Sequence, residues 1–381
     1  MKKCLVIIVF AWLSCGGCNK EKGGTPDPGM REITSCELAA LMGVGWNVGN
    51  TLEATGGETS WGNPKITNEL FRAVRAAGFT AVRIPVSWSV HITDQKTYKI
   101  DNAWMQRVGQ VVNYALDNNL YTIINIHWDG GWMNEPTPAR QKAVNEKLSA
   151  IWTQIANYFK AYDDRLLFAG SNEVHMENDW SSQPPKEYIA VQNSFNQTFV
   201  NAVRATGGRN AKRHLIVQSY LTNIELACTS FQMPQDPATD RLMVEVHYYD
   251  PYEFALKEDE PYNTQWGAGS TGDVSAWGQE NWVDSSFGKM KQHFTSKKIP
   301  VILGEYGAIY RSYLQGERLT QHAASRVRYL DYVTRAAINY GMVPFYWDNG
   351  ATDFRLIDRH SYQIVHPQVL EAIVKHNPHR P

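Results

Sequence analysis

Two glutamates, Glu173 and Glu305, follow apolar runs that have the look of buried strands, Leu166-Leu167-Phe168 and Val301-Ile302-Leu303. A lone glutamate is ordinarily a solvated surface group paired with a base, because ionised carboxylates are seldom buried. Following a buried run weakens that ordinary reading. Two carboxyls that converge over a cleft can cleave a glycosidic bond. One lends a proton to the leaving oxygen, and the other stabilises or attacks an oxocarbenium-like centre. A gap of about 5 Å between them leads to retention at the anomeric carbon, and one of roughly 6.5–9.5 Å to inversion. Other runs end in Asn47, Arg83, His127, Asn172, His247 and Trp347, all able to bind polar ligands.

The elements that must position these groups are legible as eight short apolar runs, at 44–47, 81–85, 121–127, 166–172, 214–218, 242–247, 300–305 and 343–347. They lack the alternation of a half-exposed strand, so both faces are expected to be buried, as in a parallel sheet. Segments 68–77, 104–116, 146–159, 188–203 and 323–338 carry apolar residues every three or four positions and are predicted helices. Strand and helix alternating in this way predict an α/β fold, a (β/α)8 TIM barrel forming one domain over residues 32–381. A doubly wound sheet is the alternative, but no glycine-rich dinucleotide loop follows the first run. Barrel enzymes build their sites at the C-terminal ends of the strands. Seven of the eight runs finish in polar or aromatic groups, more than local capping explains. The stretch 250–298, with Tyr252, Tyr262, Trp266, Trp277 and Trp282, exceeds a normal connection and is expected to wall the cleft. Trp46 and Trp88 are assigned to the core.

A formal net charge of −1 over 381 residues argues against nucleic acid or an anionic membrane surface as the main partner. The 13 Trp and 19 Tyr suit either a large core or the flat faces that sugar rings pack on. Lys2 and Lys3, an apolar run at 5–13 and Ser14-Cys15-Gly16-Gly17-Cys18 form a secretory signal of lipoprotein type over residues 1–17. Cys18 is the expected acylated residue, with Cys15 the rival, and residues 18–31 are expected to be a flexible tether. The chain is thus expected at the bacterial cell envelope, facing outward, held to the membrane only by that lipid. Cys36 and Cys228 lie too far apart in sequence for a disulfide framework or metal site, and whether they pair stays open. No cofactor or metal is expected, and the protein is expected to be a monomer.

Several segments together resemble the cellulases of glycoside hydrolase family 5, clan A, in particular the subfamily of endoglucanases and xyloglucanases. They are Gly45-Trp46-Asn47-Val48-Gly49-Asn50-Thr51-Leu52, Glu58-Thr59-Ser60-Trp61-Gly62-Asn63-Pro64, the stretch from Gly78 to Trp88 and Ile124-Asn125-Ile126-His127-Trp128-Asp129. Asn172-Glu173, His247-Tyr248-Tyr249, Gly304-Glu305-Tyr306-Gly307 and Trp347-Asp348-Asn349-Gly350 follow in order. The resemblance implies a retaining endo-β-1,4-glucanase acting on cellulose-like, mixed-linkage or xyloglucan polymers. Glu173 would be the acid/base with a raised pKa, and Glu305 the ionised nucleophile beside Arg83 and Tyr249. Asn172 would bond the sugar 2-hydroxyl, His127 and His247 would hold substrate and tune the acid, and Trp347 would be a sugar platform. Asn47 and His91 would contact a flanking sugar. Two departures touch the acid: Val174 stands where proline is common, and Trp128 where a second histidine is. The rival readings are a mannanase or xylanase of the same clan, or a barrel that binds glycans without cutting them.

Overall fold

The computed structural model describes residues 29–181 and 183–381. The signal segment, Cys15, Cys18 and most of the tether therefore lie outside the described residues. Eight parallel strands close into a barrel: β1 (Gly45–Asn47), β2 (Ala81–Ile84), β3 (Tyr121–Asn125), β4 (Leu166–Ala169), β5 (Leu215–Gln218), β6 (Leu242–Tyr248), β7 (Val301–Tyr306) and β8 (Met342–Tyr346). Each strand pairs with its sequence neighbour, and β1 closes against β8 with Gly45 opposite Phe345. Eight helices follow in turn: Asn68–Ala76, Asn102–Asp117, Pro138–Tyr158, Lys186–Ala205, Ile224–Thr229, Glu280–His293, Gly316–Asn339 and Pro367–Val374. The expected single barrel is the observed fold.

Alternation along the strands divides the interior into two layers. Ala81, Ile123, Leu167, Ile216, Met243, Ile302, Val343 and Phe345 form an apolar lower layer. The helix Ser35–Met42 plugs it from below with Leu38 and Met42, both fully buried. Two residues further along their strands, Arg83, Asn125, Gln218 and Glu245 take the same inward direction and make a polar upper layer, each fully buried. Outside the barrel, a larger core of strand and helix side chains includes Trp46, Trp88 and Trp152, as expected for the first two.

A register shift in β7 re-aims the residue that matters. Val246 sits opposite Leu303, but His247 sits opposite Glu305, so Gly304 is skipped. Such a bulge bends the strand and turns the next side chain. Gly304 has a further reason to lack a side chain, since a Cβ there would collide with the carboxylate of Glu245.

The boundaries differ from expectation in three places. The tether is shorter than 18–31, because Met30 is buried and Arg31 pairs with Asp164 at 2.7 Å. Strand β3 ends at Asn125 and β4 at Ala169, short of the expected His127 and Asn172, although His127 N–H still donates to Val86 O at 3.0 Å. Asn125 Oδ1 accepts from Val86 N–H, and Gln218 Oε1 accepts from Ser171 N–H. The stretch 250–298 is a cleft wall only in part. It contains the sixth barrel helix, and Trp266 is fully buried, its indole N–H donating to Gly278 O at 2.7 Å. Cys36 and Cys228 are free thiols.

Because the Glu245 carboxylate occupies the space above Gly304, Gly304→Ala should destabilise the barrel by about 1–3 kcal/mol, the usual cost of overpacking. Urea unfolding would measure it, and an unchanged midpoint would refute the packing argument.

Candidate active site

The C-terminal mouth of the barrel is organised around Arg83, whose guanidinium is fully buried. Its Nη1 donates to Glu305 Oε1 at 2.9 Å and to Asn47 Oδ1 at 3.1 Å, and Nη2 donates to Asn172 Oδ1 at 2.6 Å. Nε stands 2.9 Å from Glu245 Oε1, an ion pair too poorly aligned for a hydrogen bond. Glu305 Oε2 accepts from Tyr249 Oη at 3.2 Å. Burial, with Glu305 close by, pushes the Tyr249 phenol well above its ordinary pKa, so it stays a donor.

Glu173 lies in the loop after β4, partly open to the cleft, with Oε1 2.7 Å from His247 Nδ1. One ligand-capable atom each of Glu173, His247 and Glu305 lies within 4.8 Å of the others. At least one oxygen of each carboxyl thus lies within 4.8 Å of the other's, in keeping with the gap of about 5 Å at which direct attack occurs. The same three groups could in principle grip a cation, but the Arg83 guanidinium already places a positive charge against Glu305.

Electrostatics depart from expectation at the acid. Burial pushes the Glu173 carboxyl up, but its bond to His247 and the charges of His247 and Arg83 outweigh burial and hold it below the ordinary value. The raised pKa expected of Glu173 is thus not found. Burial drives Glu305 up, and the nearby Glu173 and Glu245 charges add to this against the pull of His247 and Arg83. Burial alone would lower His247, but Glu305 and the bonds to Glu173 and Glu245 win and raise it to about 9. Three carboxylates against two cations leave the cluster with one net negative charge. Such an imbalance favours proton uptake in a buried site.

His127 is held neutral by burial and by the Arg83 and His247 charges. Asn125 Nδ2 can only donate, so His127 Nδ1 accepts at 3.2 Å and the ring's other nitrogen carries the hydrogen. Trp347 lies parallel to His127, with ring centroids 5.9 Å apart and planes 5° apart. Beside Glu173 a cavity of about 380 Å³ is lined by His127, Trp128, Asn172, His175 and Trp180 among others.

One expected sugar contact is corrected. Asn47 is fully buried and its amide donates to Gly304 O at 2.9 Å, so it steadies Arg83 from beneath. His91 stacks on Trp104 at 3.7 Å, and its only described partners are away from the Arg83–Glu305 network. Sequence reasoning passed over Gln218 and Glu245, although a charge inside the apolar run 242–247, two positions before His247, was a usable signal.

With this geometry in view, the comparisons are decisive. The cellulase profile, glycosyl hydrolase family 5, matches residues 47–353. The chain belongs to that family. It is 48% identical over 358 residues to a xyloglucan-specific endo-β-1,4-glucanase of Bacteroides ovatus, covering 91% of this chain and 71% of the relative. It is 38% identical over 371 residues to endoglucanase A of Paenibacillus barcinonensis, covering 91% of each. The solved Bacteroides ovatus xyloglucanase in complex with a XXXG heptasaccharide superposes with a TM-score of 0.89 at 48% identity, over 91% of this chain and 77% of that one. The chain is a glycoside hydrolase with the fold and family chemistry that its sequence resembled.

The raised pKa of His247 has a stability consequence. Below about 6.5, its ordinary value, the ring is protonated in folded and unfolded chains alike, and the full charge contribution is present. Above that the unfolded chain loses the proton first, and the contribution is gone once the folded ring titrates near 9. The stability difference between wild type and His247→Gln should therefore be largest below pH 6.5 and shrink toward pH 9. A difference independent of pH in parallel denaturation series would contradict it.

Proposed function

We propose that Glu173 is the acid/base and Glu305 the nucleophile of this retaining endo-β-1,4-glucanase, and that xyloglucan is its preferred polymer. The observation that carries the first part is the short gap between the two carboxyls, with atoms within 4.8 Å. At that separation a Glu305 oxygen attacks the anomeric carbon as Glu173 protonates the departing glycosidic oxygen. The carbon–oxygen bond to the leaving sugar breaks and a glycosyl ester forms on Glu305. Glu173, now ionised, takes a proton from water, which attacks the same carbon from the opposite face, breaks the ester to release Glu305 as a carboxylate and restores the β configuration.

The neighbours fit these roles. Arg83 and Tyr249 both donate to Glu305, favouring its ionised form before attack and its departure afterwards. Arg83 takes the Asn172 carbonyl oxygen, so the Asn172 amide is left to donate to the sugar 2-hydroxyl. Neutral His127 offers an N–H, and Trp347 a flat face, on one side of the scissile bond. Such a set of proton donor and nucleophile has no use in a barrel that only binds.

Xyloglucan is favoured by the specificity of the relative at 48% identity, a xyloglucan-specific endo-β-1,4-glucanase. Trp128 and Trp180, both exposed and lining the cavity beside Glu173, offer stacking faces for sugar rings. Both relatives are endoglucanases, which favours a glucan backbone over mannan or xylan. Wild type should cleave xyloglucan with a higher kcat/KM than carboxymethyl cellulose or mixed-linkage glucan. Glu305→Gln, isosteric, should lose several orders of magnitude in kcat on all three with its fold intact. Reducing-sugar assays decide both points. A preference for an unbranched polymer overturns the specificity, and turnover within about tenfold of wild type overturns the nucleophile.

We further propose export and acylation at Cys18. Among the described residues no helix is long and apolar enough to cross a membrane. An acyl chain would supply about 0.8 kcal/mol of membrane affinity per buried CH₂. Cys18→Ala should move the active enzyme from the membrane to the soluble fraction on sedimentation. A variant that still sediments would shift the assignment to Cys15 or another anchor.

A further inference from the structure

Beneath the cleft a line of hydrogen bonds leaves the backbone just ahead of the acid and returns to the acid's own carboxyl. Ser171 N–H donates to Gln218 Oε1 at 2.9 Å, and Gln218 Nε2 donates to Glu245 Oε2 at 2.6 Å. Glu245 Oε1 lies 3.3 Å from His247 Nε2, and His247 Nδ1 lies 2.7 Å from Glu173 Oε1. The carbonyl of Gln218 is itself held by Gln192 and Asn196, each donating at 2.8 Å. Gln218 and Glu245 are fully buried, and the backbone of Gly304 leaves room for the Glu245 carboxylate.

The direction of this line is fixed at its start. A backbone N–H can only donate, so Gln218 must turn its oxygen to Ser171 and its amide nitrogen to Glu245. Glu245 must then accept on Oε2, while Arg83 Nε sits 2.9 Å from Oε1 and favours the ionised carboxylate. An ionised Oε1 can only accept, so His247 Nε2 must carry a hydrogen. One site remains open to change, the gap between His247 Nδ1 and Glu173. Either the ring is an imidazolium facing an ionised Glu173, or it is neutral and accepts a proton held by Glu173.

We propose that Glu245 is a positioning residue for the acid: it keeps the Nε2 hydrogen on His247, so that a single mobile proton is shared between His247 Nδ1 and Glu173. The inference rests on Glu173 being the acid/base. Before a sugar oxygen arrives the proton stays on the ring side, consistent with the raised His247 and lowered Glu173. When a sugar oxygen reaches Glu173, the proton crosses the 2.7 Å bond and then leaves with the aglycone. The proton taken from the attacking water returns along the same bond, so no net charge builds up under the substrate. The groups facing His247 are Glu173 beyond β4, Glu245 and Tyr249 of its own segment, Glu305 on β7, Arg83 on β2 and His127 beyond β3.

The test is Glu245→Gln in the full chain, which keeps an acceptor for His247 and removes the charge. Losing a negative neighbour makes the shared proton easier to lose, so the alkaline limb of the kcat/KM profile should move to lower pH. A cello-oligosaccharide, whose leaving sugar needs protonation, should lose about tenfold more in kcat/KM than dinitrophenyl β-cellobioside, whose leaving group does not. Equal losses on both substrates, or an unmoved alkaline limb, would overturn the proposal. If the variant fails to fold, long-range proton–nitrogen spectra of wild type labelled at histidine nitrogen decide instead. The His247 ring should pass from imidazolium to the neutral form with hydrogen on Nε2, and a neutral form with hydrogen on Nδ1 would overturn it. Glu173→Ala, run on the same two substrates, separates the underlying assignment. If it does not discriminate between them, the acid itself is misassigned; if it does and Glu245→Gln does not, only the role of Glu245 fails.

Discussion

A fully desolvated guanidinium holds this active site together. Arg83 touches Glu305, Asn172, Asn47 and Glu245, groups from four different parts of the barrel mouth. An arginine stripped of water is tolerable only where its donors and its charge are answered, and removing one answering group leaves a costly unpaired charge. The demand works in both directions. Arg83 needs the carboxylates to remain buried, and the carboxylates need Arg83 to remain ionised. The polar upper layer is therefore one unit resting on the apolar layer and helical plug below, and the exact placing of each catalytic oxygen follows from that mutual need.

Much of the arrangement was readable from the chain, because it depends on local patterns. The eight apolar runs gave the barrel, and the groups following them gave Arg83, His127, Asn172, Glu173, His247, Tyr249, Glu305 and Trp347 at one mouth. What escaped was whatever depends on cross-barrel geometry. Asn47 looked like a ligand contact because it ends a strand, yet its amide is consumed by carbonyls of neighbouring strands. Trp266 looked like cleft wall because it lies in a long connection, yet it packs on Tyr329 in the core. Glu245 sat unnoticed inside an apolar run, since only the skipped Gly304 and the facing Arg83 show that a buried carboxylate can be accommodated there.

The pKa of the acid illustrates the same division. Sequence and family resemblance call for a carboxyl that holds its proton, and burial does push Glu173 that way. The neighbouring imidazole reverses the balance because it faces three carboxylates at once. The proton proposed for Glu173 then belongs to a pair of side chains. Its titration is a property of the pair, as is usual when two groups interact strongly.

Asn47 carries one more implication. Its side chain spans the seam where the first barrel strand meets the last, reaching carbonyls of Gly304, Phe345 and Tyr346 while it supports Arg83. The stitch joins residues about three hundred positions apart in the chain, so it exists only once the first and last strands have paired. The catalytic constellation is thus completed in the same event that shuts the cylinder. A chain with an open seam would be without an oriented guanidinium, so recovery of hydrolysis during refolding would clock the closing of the barrel itself.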